Sequence, residues 1–198
     1  MFITLPVEVQ SELAALAERY GEPLVHFAEL ERTELFDPLS SRDRYGEVCM
    51  VVRRPGGHLI TAKKTFYPTS AYRLLTGGIH PGEPVLDALL REVREETGLD
   101  VTVSRFLAAV AYHWPEQQDS PLFYTFAFLL EESGGTLGAL DEDERLEYFR
   151  EITLAELPER VEFFNHLPHE YSPDFSIEWH HWGRFRAVIH RLVWQALQ

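Results

Sequence analysis

Cysteine and lysine are both scarce in this chain of 198 residues. Cys49 is its only cysteine, which excludes an intrachain disulfide. The neighbours of Cys49, in the run VCMVV, predict a thiol buried in a strand, and we assign it no chemical role. Lys63 and Lys64 are the only lysines among 18 basic residues, so arginine carries almost all of the positive charge.

Positive charge is scarce in the chain as a whole. There are 32 acidic against 18 basic residues, and the formal net charge is −14. Such a field disfavours duplex nucleic acid and anionic membrane surfaces as partners. The sequence shows no signal peptide and no apolar run long enough to span a bilayer. We therefore expect a cytoplasmic protein that binds neither duplex nucleic acid nor a membrane.

The length and the apolar content of 45% fit one domain with a sizeable core. Residues 1–45 differ in pattern from the rest. Helical spacing over 7–20 ends at Gly21, and 23–30 fits either a short strand or a second helix. We predict that residues 1–45 form an N-terminal helical appendage, packed on the main domain or on a partner subunit, and that residues 46–198 form the main domain.

Strands and helices alternate through the main domain. Two hairpins are predicted, one that pairs 48–53 with 58–63 and one that pairs 101–113 with 122–130. Two single strands are predicted at 72–75 and 148–152. Helices are predicted at 154–167, starting near Thr153 as its cap, and at about 175–197. Mixed strands between two helical layers indicate an α/β fold.

The segment over residues 77–99, GGIHPGEPVLDALLREVREETGL, is the most informative part of the chain. Glycines around Pro81 predict a tight loop, and Glu83-Pro84 opens a helix with proline in the first turn. Gly98 ends that helix as a C-cap. The predicted buried stripe consists of four apolar residues at helical spacing: Leu86, Leu89, Leu90 and Val93.

Three carboxylates share another face of this helix, at the edge of a cavity. Glu92, Glu95 and Glu96 have the spacing i, i+3, i+4, and we expect their mutual repulsion to cost stability. A divalent cation relieves this repulsion, and oxygen ligands favour Mg²⁺ or Mn²⁺ over Zn²⁺. A solvated acidic face is the alternative for a bare Glu-x-x-Glu-Glu motif. The glycine loop and an Arg91–Glu83 ion pair that ties the loop to the helix favour the metal site.

With Gly77, Gly78, Gly82 and Gly98 at their spacings, the segment resembles a complete Nudix box, the signature of the Nudix hydrolase superfamily. The resemblance implies an α/β/α sandwich with a mixed sheet. It also implies Mg²⁺-dependent hydrolysis of a nucleoside diphosphate linked to another moiety. Glu92, Glu95 and Glu96 would be metal ligands, Glu83 and Arg91 the structural ion pair, and Thr76 a donor of its backbone carbonyl to a metal.

The branch of the family is less sharply defined. Pro115, sixteen residues beyond Leu99, resembles the ADP-ribose pyrophosphatase branch, and Gln117 stands where tyrosine would indicate dinucleoside polyphosphate hydrolases. The approach Leu75-Thr76-Gly77 departs from the Pro-Ala-Gly approach common in the first branch. ADP-ribose or a nucleotide sugar is therefore the first substrate candidate.

Two carboxylates are candidates for the general base that activates water. Glu95 lies in the box itself. Glu144 lies in an acidic stretch over 141–147 that precedes the last predicted strand, and an exposed acidic loop is the alternative interpretation of that stretch.

Phosphate and nucleoside contacts have weaker candidates. Lys63, Lys64 and Arg73 lie shortly before the box and have the reach to meet a phosphate. Trp114 and the 66–68 loop offer rings that stack on a base or a sugar, with core packing as the alternative. The terminal helix carries His180 and His181, which point about 100° apart and so chelate one ion poorly. We interpret them as surface or interface residues, and the helix as a candidate homodimer contact.

Two other hypotheses belong to different classes. A catalytically silent Nudix-fold module that senses a nucleotide would usually lack box residues, whereas all are present here. An isomerase on the same fold would need a reactive cysteine, and Cys49 in an apolar strand is a poor candidate.

Overall fold

The computed structural model of the protein describes residues 2–31, 44–115, 123–140 and 146–198. Four helices are present in these ranges: α1 (Val7–Tyr20), α2 (Val85–Thr97), α3 (Leu157–Asn165, preceded by a 3₁₀ turn at Leu154–Glu156) and α4 (Trp179–Ala196). Nine strands are present in the same ranges: β1 (Leu24–Glu29), β2 (Gly46–Arg53), β3 (Leu59–Lys64), β4 (Arg73–Gly78), β5 (Leu99–His113), β6 (Phe123–Gly135), β7 (Leu146–Ile152), β8 (Tyr171–Ser172) and β9 (Ile177–Glu178).

Seven strands form one mixed sheet in the order β1-β5-β6-β2-β4-β3-β7. The pairs β1/β5 and β2/β6 are parallel, and the other ladders are antiparallel. Helices α1 and α2 cover one face of the sheet, and α3 and α4 cover the other. The predicted α/β sandwich with a mixed sheet is confirmed.

Strand β2 shows why the sheet is buried on both faces. Val48, Met50 and Val52 pack towards α1 and α2, whereas Cys49 and Val51 pack towards α3 and α4. Because successive side chains of a strand point to opposite faces, a continuous apolar run is required between two helical layers. Cys49 is fully buried, as predicted.

The first predicted hairpin is wrong in its pairing. Strands β2 and β3 meet only at Arg53↔Leu59, because β4 lies between them and pairs with both. The second hairpin, β5 with β6, is confirmed in the described residues. Strand β4 follows β3 in sequence but lies between β2 and β3 in the sheet, and it then leads into the loop of the box segment.

The last helix begins later than predicted. Residues around 171–178 form the short hairpin β8–β9 instead of the first turn of α4. The reason is the cap: Glu178 Oε2 accepts a hydrogen bond from the amide of His181 at 2.8 Å and so fixes the helix start at Trp179. Trp182, Phe185 and Ile189 of α4 face the core. The homodimer contact stays a prediction.

The segment predicted as an N-terminal appendage contributes to the same core in its described part. Strand β1 lies at the edge of the main sheet, parallel to β5 from Leu24↔Ala108 to Glu29↔His113. Leu13 and Leu16 of α1 are buried in the cluster that contains α2. The division of the chain at residue 45 stays a prediction. None of the helices in the described residues combines the length and the apolar character that a membrane span requires.

Candidate functional site

The box segment has the predicted structure, a loop followed by a helix with Gly98 as its C-cap. Strand β4 runs into Gly78, and the turn that follows contains Gly82 with φ +77°. Pro84 precedes α2 at its N-cap position. Gly98 adopts the left-handed conformation with φ 67°, and its amide donates to the carbonyl of Arg94 at 2.8 Å. An L side chain is disfavoured at both glycines because of their positive φ.

The buried face of α2 differs from the predicted stripe. Leu90 is 41% exposed and Leu86 is only partly buried, whereas Glu92 and Glu96 are 6% and 1% exposed. The prediction for Leu90 was therefore wrong. The helix is oriented so that Glu92 lies against Gly77 near the end of β4 and Glu96 is buried as well, and smaller residues such as Ala88 fill the remaining contact with the sheet.

Gly77 explains how a carboxylate fits at this buried place. A Cβ atom on Gly77 would lie 2.0 Å from Cδ and 2.2 Å from Oε2 of Glu92. Glycine therefore provides the space in which the Glu92 carboxylate sits. This close approach of backbone to side chain is a steric requirement and does not depend on backbone conformation.

Arg91 ties the loop and the carboxylates together. Its Nε and Nη2 donate to Oε1 and Oε2 of Glu83 at 2.8 and 2.9 Å, a bidentate pair, and Nη2 also donates to the carbonyl of Gly78 at 3.0 Å. Its Nη1 donates to Glu92 Oε1 at 2.9 Å and to Glu95 Oε2 at 3.0 Å. The hydrogen bond from Arg91 lowers the pKa of Glu83, and the same bond raises the pKa of Arg91.

Arg73 is the first residue of β4 and lines a neighbouring cleft. It is 2% exposed, and its Nη1 donates to the hydroxyl of Thr76 at 3.2 Å and to the carbonyl of Leu74 at 2.9 Å. Burial alone lowers the pKa of the Arg73 guanidinium, but Tyr67, Glu96 and Glu47 together outweigh burial and raise it above its usual range. The side chain is therefore a buried permanent cation beside the carboxylates.

The cleft next to Arg73 and Thr76 has a volume of about 270 Å³. Three of the predicted residues line it: Lys64, Arg73 and Thr76. Lys63 and Trp114 are not among its described lining residues. Lys63 Nζ instead lies 5.3 Å from the ring centroid of Tyr148, and Trp114 packs against the core at the end of β5.

Sequence patterns missed several residues of this cleft. Glu47 is 3% exposed and accepts hydrogen bonds from Arg186 Nη1 at 2.7 Å and from Thr125 Oγ1 at 3.1 Å. The rings of Phe66 and Phe175 stack with centroids 4.0 Å apart. One available signal is Glu47 itself, a charged residue directly before the apolar run VCMVV of β2.

Of the two candidates for the general base, only Glu95 lies in the described residues. Glu95 is on α2 with a side chain 40% exposed, and it accepts from Arg91. Glu144 lies outside the described residues, so its role stays a prediction.

A family model described as the NUDIX domain matches residues 43–175. The chain therefore belongs to the Nudix family, as its sequence predicts.

Individual proteins with similar sequences carry more specific names. The chain is 28% identical over 141 residues to the NAD-capped RNA hydrolase NudC of Pseudomonas putida. The aligned region covers 70% of this chain and 49% of that protein. The chain thus spans about half the length of this relative. It is 25% identical over 138 residues to the ADP-ribose pyrophosphatase of Methanocaldococcus jannaschii, covering 69% of this chain and 77% of that protein. A solved UDP-X diphosphatase matches with a TM-score of 0.49 at 18% identity, over 81% of this chain and 68% of that one.

Proposed function

We propose that the protein is a Nudix pyrophosphohydrolase that cleaves the diphosphate bond of a nucleoside diphosphate linked to another moiety. Glu92, Glu95 and Glu96 would hold Mg²⁺ or Mn²⁺, together with the backbone carbonyl of Thr76. The observation that carries the proposal is the burial of Glu92 and Glu96, with Glu92 packed on Gly77 next to Thr76, which lines a cleft with three arginines.

The donor set fits a hard divalent cation. Carboxylate oxygens are the ligands that Mg²⁺ and Mn²⁺ prefer, and Gly77 leaves a place for the Glu92 carboxylate that a Cβ atom would fill. A cation held there would neutralise charge that builds on the leaving group and help to activate the attacking water. Arg91 keeps Glu92 and Glu95 in place through its Nη1.

The cleft has the charge needed for a diphosphate. Its lining includes four basic side chains, Arg44, Lys64, Arg73 and Arg186, together with Glu47. In a chain with a net charge of −14, this local excess of positive charge is the feature that would attract an anionic substrate. The partly buried pair Phe66 and Phe175 offers an aromatic wall for a base.

ADP-ribose or a nucleotide sugar is the first substrate candidate. The relatives named above act, by their names, on NAD-capped RNA and on ADP-ribose, and both substrates contain adenosine joined to a second group through a diphosphate. That shared linkage is the chemistry that the metal carboxylates and the basic cleft would recognise. A cytoplasmic setting accompanies the proposal as a prediction.

A panel of ADP-ribose, NAD, UDP-sugars and an NAD-capped oligonucleotide, incubated with Mg²⁺ and scored for released nucleotide, tests the proposal. We expect turnover of at least one substrate, complete loss with excess EDTA, and loss in Glu96→Gln. Asp87→Asn is the matched control, because Asp87 is an exposed carboxylate on the same helix. Tight nucleotide binding without any product, in Mg²⁺ or Mn²⁺, would instead establish the silent sensing module.

A second experiment concerns the base. A carboxylate bound to a divalent cation is a weak proton acceptor, so a base free of the metal is expected outside the box. We expect Glu144→Gln to lower kcat by ~10²–10⁴-fold, with little change in KM or Mg²⁺ affinity. Glu142→Gln and Glu147→Gln complete the scan, and Glu159→Gln on the exposed side of α3 is the control. Losses below a few-fold in all three acidic-stretch variants would assign the base to Glu95 or to a metal-bound hydroxide alone.

A further inference from the structure

Three side chains meet where the hairpin β8–β9 leads into α4. His169 precedes the hairpin, Glu178 ends it, and His181 lies in the first turn of the helix. His181 Nδ1 is 2.5 Å from Glu178 Oε2, and His169 Nδ1 is 3.4 Å from Glu178 Oε1. All three ligand atoms lie within 4.8 Å of one another.

Glu178 occupies an unusual position for a carboxylate. Its side chain is only 5% exposed, and its Oε2 already caps α4 through the amide of His181. Its Oε1 is buried and makes no hydrogen bond among the described residues, although His169 Nδ1 lies 3.4 Å away, within ion-pair distance. A buried carboxylate oxygen in this state is costly unless a cation completes its surroundings.

We propose that His169, Glu178 and His181 form a second metal site, separate from the box carboxylates, that binds Zn²⁺. Two imidazoles and one carboxylate are a zinc donor set that leaves one coordination position open. Tetrahedral Zn²⁺, with bonds of ~2.0–2.1 Å, separates its ligand atoms by about 3.4 Å. The observed separations, from 2.5 Å to at most 4.8 Å, would therefore shift towards this value on binding, and the ion would replace the proton shared by His181 Nδ1 and Glu178 Oε2. The imidazole donors select against Mg²⁺.

Neighbouring groups are arranged as supports of such a site. His181 Nε2 lies 3.3 Å from Glu31 Oε2, and Glu31 Oε1 in turn is paired with Arg184 at 3.0 Å. A carboxylate on the second ring nitrogen orients a metal-binding histidine. His180 is turned away from this role, because its Nδ1 bonds to the carbonyl of Leu167 at 2.9 Å while its ring packs on His169.

The site would clamp one wall of the active-site cleft. The ligands flank the hairpin that carries Phe175, Ser176 and Ile177, and these residues line the cleft beside Arg73 and Thr76. Zn²⁺ would therefore fix the aromatic wall against which a nucleoside stacks. The role is structural positioning and adds no group to the reaction itself.

Zinc content under excess Mg²⁺ tests the proposal without reference to activity. Chelator-treated protein is dialysed against Zn²⁺ with Mg²⁺ in large excess and then analysed for bound zinc. We expect one equivalent in the wild type and a rise in Tm with zinc. His169→Ala should lower zinc affinity at least ~100-fold, and Glu31→Gln should lower it ~10-fold. Because the side chain of His169 is 70% exposed, its removal leaves the core untouched.

Two controls separate this site from others. His166→Ala removes an exposed histidine whose Nδ1 is hydrogen-bonded to the carbonyl of Glu162, and the variant should bind zinc as the wild type does. Glu96→Gln should also retain the zinc equivalent. With Co²⁺ in place of Zn²⁺, intense visible absorption typical of a four-coordinate site should appear in the wild type and vanish in His169→Ala. Zinc that is lost in Glu96→Gln but kept in His169→Ala would overturn the proposal, as would a wild type that binds none.

Discussion

Gly77 is the residue on which the position of the Glu92 carboxylate depends most directly. We expect Gly77→Ala to lower kcat/KM by ~10²-fold, because the added Cβ would lie 2.0 Å from Glu92 Cδ and displace that proposed metal ligand. The free energy of unfolding should fall by only about 1–3 kcal/mol, since the Glu92 side chain can move aside. Kinetics with varied Mg²⁺ and urea denaturation measure the two effects.

Gly56→Ala is the matched control for this prediction. A Cβ atom there would meet its nearest neighbour, His58 Nδ1, at 3.5 Å, which is an ordinary contact. If Gly77→Ala is as active as Gly56→Ala and the wild type, activity does not depend on the observed position of the Glu92 carboxylate.

Helix α2 is capped by a side chain from another element. Glu12 of α1 accepts hydrogen bonds from the amide of Val85 through Oε2 at 2.9 Å and from the amide of Leu86 through Oε1 at 3.0 Å. These amides belong to the first turn of the helix that carries the box carboxylates, where backbone donors otherwise lack partners. The carboxylate also interacts favourably with the positive end of the helix dipole.

We expect Glu12→Ala to lower the free energy of unfolding by about 0.5–2 kcal/mol and to weaken Mg²⁺ binding, because the cap helps to hold α2 against the loop. Glu12→Gln keeps one acceptor oxygen and should lose less. Glu8→Ala, an exposed acidic residue of the same helix, should stay within about 0.5 kcal/mol of wild type. Equal stability of Glu12→Ala and Glu8→Ala in urea denaturation would contradict the capping role.

Local patterns predicted the individual elements well because periodicity and caps are local properties. The helix over 7–20 and the C-cap at Gly98 are present as predicted. The same patterns failed for Leu90, because the amphipathic rule places carboxylates outside and Glu92 and Glu96 are inside. A functional site departs from local rules when a ligand is expected to stabilise what burial makes costly.

At the scale of the whole molecule, the contacts that sequence patterns missed join distant parts of the chain. Arg186 and Glu47 are 139 positions apart, and Glu12 and Val85 are 73 apart. His169, Glu178 and His181 are closer in sequence, but only the hairpin β8–β9 brings them together. Spacing rules describe one element at a time, so contacts that depend on the order of strands and the docking of helices lie outside their reach.

His190 joins the α3–α4 layer to the central sheet. It is fully buried in α4, its Nε2 accepts from the amide of Leu74 in β4 at 3.0 Å, and its Nδ1–H donates to the carbonyl of Arg186 at 2.8 Å. The bond from Leu74 requires the neutral ring, because Nε2 accepts a hydrogen bond only when it carries no proton. Burial is the main cause that lowers the pKa of His190 to about 3, and the charges of Arg186, Arg73 and Arg160 lower it further. The hydrogen bond to the Arg186 carbonyl acts in the opposite direction and raises this pKa.

The stability of the protein should therefore include a pH-dependent contribution from this ring. Because the folded-state pKa lies below the value of 6.5 expected for the unfolded chain, the contribution of neutral His190 is complete above pH 6.5 and declines as the pH falls towards 3. Over that window, each pH unit costs up to about 1.4 kcal/mol. We expect His190→Gln, which keeps an acceptor and a donor without titrating, to be less stable at pH 7.5 but to lose less stability on acidification. Urea denaturation at pH 7.5, 6 and 5 measures this, with the exposed His58→Gln as control. If the free energies of unfolding of wild type and His190→Gln fall in parallel as the pH decreases, protonation of His190 does not cause the acid destabilisation. If the two free energies converge at low pH, the acid destabilisation is assigned to His190, the ring that joins α4 to β4.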